Sequence, residues 1–233
     1  MKVLECENLR LGYEGMTVIE NASFSVEEGD YVCVLGRNGA GKSTIIKGIL
    51  GLIPLLSGKI SYGNEIKGKI GYVPQILVLP KEFPATVFEV VISGFTASMG
   101  NKLFFGKDQV KGAKRVLEAL NLSEYEKMSF SDLSVGQKQK ILLARAICGK
   151  IKLLILDEPA SGLDPAASAD FYNIIKELNS KDGVTVIMVS HDIHSALKNG
   201  KKILHIDKDI EFYGPVDEYI KTPSYLKLTG GGA

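Results

Sequence analysis

The chain has 233 residues, enough to bury a sizeable core as one large domain or as one domain with an inserted lobe. Hydrophobic residues make up 45% and charged residues 24%, and a formal net charge of +1 gives no electrostatic reason to expect nucleic acid or an anionic membrane surface as partner. Cys6, Cys33 and Cys148 are too sparse for a disulfide framework or a zinc site; they read as buried small hydrophobes in a reducing, intracellular setting.

The first residues, MKVLECENLR, lack the apolar stretch of a signal peptide. No window approaches roughly 18 consecutive apolar residues, so no segment is expected to span a bilayer. Residues 1–35 read as strands, ending in the apolar run YVCVL from Tyr31 to Leu35. A glycine-rich loop and a helix follow, with Ile45, Ile46, Ile49 and Leu50 on one side and Gly51 and Pro54 to stop it. Two short strands are expected near Lys59 to Tyr62 and Lys69 to Pro74.

Residues 76–150 have a different texture. Thr86 and Glu89 have capping-box spacing ahead of an apolar run, so a helix starts there. Residues 95–107 are rich in Gly, Ser and Phe and read as a loop. Val110, Ala113, Leu117 and Leu120 have helical spacing, and a further helix should follow Ser134. Strand and helix then alternate again: LLILD at Leu153 to Asp157, a helix opened by Asp164 and Pro165, and VTVIMVS at Val184 to Ser190.

This alternation predicts an α/β fold with a mostly parallel sheet, preceded by an antiparallel β portion and interrupted by a helical lobe. The expected boundaries are 1–75 and 151–215 for the core, 76–150 for the lobe and 216–233 for a short C-terminal tail. Thr229 to Ala233 are Gly-rich and expected to be disordered.

Gly36 to Thr44 reads GRNGAGKST and lies between an apolar strand and a helix, the context a phosphate-binding loop requires. Gly36, Arg37, Asn38, Gly39, Ala40 and Gly41 would turn backbone N–H groups toward phosphate oxygens, with a helix N-terminus behind them. Lys42 would reach the β- and γ-phosphates, and Ser43, beside Thr44, would ligate Mg²⁺. In LLILDEP, Asp157 ends a buried strand, where sheets of this kind gather their ligands. Asp157 suits Mg²⁺, and Glu158 is placed to orient and activate an attacking water.

A third motif narrows the class. LSVGQ, Leu133 to Gln137, stands about 20 residues ahead of the acidic strand and resembles the signature of ATP-binding-cassette ATPases. The resemblance covers nearly the whole chain and implies a P-loop NTPase core that binds ATP and Mg²⁺ and hydrolyses ATP. It implies that Tyr13 stacks on adenine, and that Gln75, in YVPQ, touches Mg²⁺ and senses a membrane partner. It implies that Ser161 and Asp164 form the D-loop and that His191, in SHD, contacts the γ-phosphate. Taken singly, Tyr13 reads as surface packing, Gln75 as a strand-end polar residue and His191 as structural; their order around the phosphate loop gives them nucleotide roles. His191 and His194 have the spacing of a metal pair but no third ligand.

Val135 stands where the family has glycine, and valine requires an ordinary backbone angle there. Lys140 replaces a common arginine and loses its bidentate fork. Tuned activity is expected.

Within the family, Ser134, Gly136 and Gln137 of one cassette cap the ATP of another. One cassette per chain therefore implies an ATP-dependent homodimer. A permease subunit is expected to dock near residues 75–105, where Leu77, Leu79, Phe83, Phe95, Phe104 and Phe105 form a candidate groove. The implied place is the cytoplasmic face of the cell membrane, with an extracytoplasmic substrate-binding protein in the full system and no nucleic acid. FPATVFEVVISGF, Phe83 to Phe95, is similar to the matching segment of zinc and manganese uptake cassettes, and also of iron-chelate cassettes, though Phe95 departs from a frequent arginine. Metal-ion import is the expected function; a cassette for iron-chelate or another substrate, an exporter cassette and, more remotely, a soluble cassette ATPase are the alternatives.

Overall fold

The computed structural model describes residues 1–13, 15–66, 68–75, 84–100 and 103–230. In chain order the elements are β1 (Lys2–Tyr13), β2 (Met16–Glu27), β3 (Tyr31–Leu35), α1 (Lys42–Ile49), β4 (Leu55–Tyr62), β5 (Ile70–Val73), α2 (Val87–Ile92), α3 (Lys107–Ala119), α4 (Val135–Ile147), β6 (Leu153–Asp157), α5 (Pro165–Ser180), β7 (Thr185–Val189), α6 (Ile193–Asn199), β8 (Lys202–Asp207), β9 (Asp209–Pro215), α7 (Val216–Tyr219) and α8 (Pro223–Thr229). They group into two compact units, residues 1–65 with 179–233 and residues 66–178.

In the first unit, β1 pairs antiparallel with β2 and β4, with Cys6 opposite Phe24 on one side and Ile60 on the other. Leu4, Cys6, Leu9 and Leu11 are buried, and the alternation breaks at Asn8, which has φ 48°. Gly58 faces that irregularity: a Cβ there would lie 2.3 Å from the Asn8 carbonyl oxygen, so only glycine fits. A second set of strands is centred on β3, which pairs parallel with β7 and with β8. β9 closes that side antiparallel to β8. Every residue of β3 and β7 is buried, as strands covered on both faces require. Ile45, Ile46 and Ile49 bury one side of α1, and each such side chain contributes about 1.5–3 kcal/mol.

The stretch read as a tail is folded. Tyr219 of α7 is fully buried against Phe212, Tyr225 and His205, at ring-centroid distances of 5.3, 5.6 and 5.7 Å. Its hydroxyl meets His205 Nδ1 at 3.2 Å. Thr222 caps α8 by accepting from the Tyr225 N–H, and Pro223 occupies the first turn. Thr229 belongs to α8, and residues 231–233 lie outside the described residues.

In the second unit, β5 and β6 pair in parallel, with Tyr72 opposite Ile155. Thr86 and Glu89 form the expected capping box at the start of α2, and Ser134 and Gln137 form another at α4. Part of the expected loop is a 3₁₀ helix, Ser93–Ser98. It lies against α4 at Gly94, where a Cβ would meet the Arg145 carbonyl oxygen at 2.0 Å. The contact boundary thus differs from the expected lobe of 76–150: β5, β6 and most of α5 cluster with the helices. Of the expected groove, Leu77, Leu79 and Phe83 lie outside the described residues, Phe95 and Phe105 are half-buried, and Phe104 is exposed.

Candidate active site

β3 delivers the chain at Leu35 into the glycine-rich turn. Gly36 has φ 150°, and a Cβ on it would sit 2.1 Å from the Ile206 carbonyl oxygen. Gly41 has φ 101° and lies against Ile19, where a Cβ would come within 2.4 Å of Cδ1. Both positions therefore exclude any side chain. Gly41 is also the N-cap of α1, which has neither a side-chain cap nor an acidic residue in its first turn. That helix end presents N–H groups and a positive dipole end to an anion. Lys42 is only 5% exposed, and its Nζ donates to the carbonyls of Gly36 at 2.9 Å and Arg37 at 3.0 Å. The ammonium is thus held inside the turn.

His191 follows β7 and is exposed. Next to it, Ser190 Oγ accepts from the Asp192 N–H at 3.1 Å. Asp192 caps α6 by accepting from the Ser195 N–H. Leu35, Gly36, Arg37, Asn38, Ser190, His191, Ile193 and Leu228 line an open pocket of about 310 Å³. His191 and the first half of the phosphate loop therefore share one cavity. Tyr13 ends β1 and is 47% exposed, and Lys47 Nζ lies 5.9 Å from its ring centroid, a cation–π arrangement.

The second unit holds the acidic strand end and the signature. Asp157 is 4% exposed at the end of β6. Glu158 has φ 49°, a left-handed conformation uncommon for a bulky residue and costing of order 1–3 kcal/mol. Gln75 Nε2 donates to Glu158 Oε2 at 2.7 Å. The next turn follows directly, with Ser161 N–H donating to the Glu158 carbonyl at 3.1 Å. Asp164 Oδ1 accepts from Ala167 N–H and so caps α5. Ser134 Oγ accepts from Gln137 N–H, and Gln137 Oε1 accepts from Ser134 N–H. A Cβ added at Gly136 would meet Ala167 and Leu163 at ordinary contact distance, 3.6 and 3.7 Å. Val135 is the first residue of α4, 43% exposed and free of positive φ. Lys140 pairs with Asp170.

Several neighbours of the site were not legible in the sequence. Leu228, from α8, lines the phosphate-loop pocket. His205, buried in β8, pairs in register with Leu35. Burial lowers its pKa; the carboxylates of Glu211 and Asp207 oppose this, and the positive charges of Arg37 and Lys42 reinforce it. Gln139 is buried on α4 and donates to the Pro159 carbonyl at 2.7 Å. Nothing in local spacing marks any of these three.

A buried strand, a glycine-rich turn around a lysine and a helix N-terminus without a side-chain cap define a nucleoside-triphosphate-binding protein of the P-loop class. The family model described as ABC transporter matches residues 19–161. The chain is 36% identical over 232 residues to the manganese transport system ATP-binding protein of Bacillus subtilis, covering 98% of this chain and 92% of that protein. It is 33% identical over 232 residues to the zinc import ATP-binding protein of a Ruegeria species, covering 100% and 88%. Among solved structures, a transporter assigned to the metal-chelate ABC type, in an inward-facing conformation, superposes with a TM-score of 0.89 at 30% identity, covering 99% of this chain and 90% of that one. A dimeric bacterial ABC transporter cassette superposes at 0.78 with 25% identity, covering 91% and 98%. The chain belongs to the ABC transporter family and is its ATP-binding, ATP-hydrolysing subunit. Among the described residues no helix is long and apolar enough to cross a membrane.

Proposed function

We propose that this chain is the motor of a zinc or manganese importer. The observation that carries this is the match to named manganese and zinc uptake cassettes across 98% and 100% of its length. The chain works on the cytoplasmic face of the membrane, bound to a permease and supplied by an extracytoplasmic binding protein. Two copies form an ATP-dependent dimer, a reading supported by the likeness to a dimeric cassette.

In each copy the phosphate loop from Gly36 to Thr44 cradles the phosphates and Tyr13 stacks on the base. Lys42 exchanges its loop carbonyls for phosphate oxygens. Ser134, Gly136 and Gln137 close over the ATP of the partner copy, with Ser161 and Asp164 of the D-loop alongside. Glu158 orients the attacking water and takes its proton, and His191 holds the γ-phosphate. The Ser43 hydroxyl, the Asp157 carboxylate and the Gln75 amide oxygen are hard oxygen donors, which fits Mg²⁺. Bound there, Mg²⁺ would neutralise phosphate charge as the bond breaks. ATP favours the closed dimer and shifts the population toward it; hydrolysis reopens the pair.

Proteoliposomes holding the chain with the permease that co-purifies with it decide the cargo. ATP-driven accumulation of radiolabelled zinc or manganese is the expected result. Accumulation of an iron chelate alone, or transport only outward, would overturn it.

A further inference from the structure

Gln139 lies on α4, five residues beyond its Ser134 cap, and is 1% exposed. Its Nε2 donates to the Pro159 carbonyl at 2.7 Å, while its Oε1 is buried with no hydrogen-bond partner among the described residues. A half-satisfied buried amide is a poor choice for stability, because an apolar side chain of the same size leaves no orphaned acceptor. The neighbouring helix positions Ile141, Leu142 and Leu143 are all apolar and buried. The amide therefore calls for a reason other than packing.

Pro159 supplies one. It follows Glu158, whose φ of 49° is strained twice over: the residue is bulky, and the residue before a proline is restricted toward extended conformations. Proline has no N–H, so its carbonyl is the one backbone group through which residue 159 can be held. Gln139 takes that carbonyl from one side, and the Glu158 carbonyl accepts from Ser161 N–H at 3.1 Å on the other. A short rigid stretch of α4 thus joins the signature residues Ser134 and Gly136 to the turn that aims the Glu158 carboxylate.

We propose that Gln139 is a positioning residue for ATP hydrolysis: its amide fixes the Pro159 carbonyl and keeps Glu158 in its left-handed, water-facing geometry. This rests on the reading of Glu158 as the catalytic base. Small displacements of a reacting group cost rate far more than binding, so the effect falls on kcat and not on KM.

The test compares ATP turnover by the full chain in three variants. Gln139→Met conserves volume and removes the donor. It should lower kcat roughly 10- to 100-fold with KM for ATP near wild type, and thermal stability should hold or rise. Gln139→Glu keeps a donor only as the neutral acid, so its turnover relative to wild type should rise as pH falls. Wild-type kcat in Gln139→Met, with turnover abolished in Glu158→Gln, would overturn the positioning role alone. Wild-type turnover in Glu158→Gln would overturn the base on which it rests. Should Gln139→Met not fold, the Gln139→Glu profile decides: a ratio to wild type that is flat with pH sinks the proposal.

Discussion

Gln75 donates its side-chain amide to Glu158 Oε2 at 2.7 Å, so the residue expected to report on the membrane partner holds the carboxylate expected to activate water. The bond occupies a lone pair on the carboxylate oxygen that proton abstraction needs. A permease that draws Gln75 away would therefore release the base. Replacing Gln75 with alanine should abolish stimulation of turnover by the permease, measured at saturating ATP because the change also removes an oxygen donor read for Mg²⁺. Turnover of the chain with and without its permease, side by side, reads this directly. A stimulation equal to wild type would dissociate Gln75 from coupling.

Glu158→Gln keeps shape and the left-handed turn but cannot take a proton. Loss of a positioned base lowers rate by about 10²–10⁴-fold. The variant should bind ATP, stall, and accumulate as a dimer, seen as an ATP-dependent doubling of mass by light scattering. Wild-type turnover in this variant would show that another group activates water.

Gly36→Ala forces a methyl into the space of the Ile206 carbonyl at a φ of 150°. Both the clash and the strained angle fall on backbone, which has no rotamer to yield. A loss of about 1–3 kcal/mol in denaturant unfolding is expected, together with weakened nucleotide binding. An unchanged midpoint would mean that β8 shifts to accept the methyl.

His205 gives a pH signature. Burial lowers its pKa below the ordinary 6.5, so the folded state resists protonation where the unfolded state accepts it. Above 6.5 both states are neutral and nothing is lost. As pH falls below 6.5 the unfolded chain binds the extra proton, and stability declines until the folded pKa is reached. Urea unfolding between pH 7.5 and 5 should show this decline, and His205→Phe should flatten it. Identical slopes for both proteins would remove His205 as the source.

Much of the site is local in sequence, which is why it was legible there. GRNGAGKST needs only its own glycines and the strand before it. The caps at Thr86, Ser134 and Asp164 each act within three residues, and the structure holds all three. Partners remote in sequence left no such mark. Tyr219 looks like one more tail residue until β8 and β9 bring His205 and Phe212 beneath it. Gln139 sits in a helical run whose spacing says nothing of a carbonyl 20 residues on. The positive φ of Glu158 is equally silent, since no residue type announces it.

The placement of Leu228 has a practical side. α8 ends at Thr229, and its Leu228 lines the cavity shared by His191 and the phosphate loop. Anything fused beyond Gly230 would be tethered two residues from a side chain that lines that cavity. A purification handle at this end could block or imitate a ligand, whereas Met1 is 72% exposed and lines no part of it.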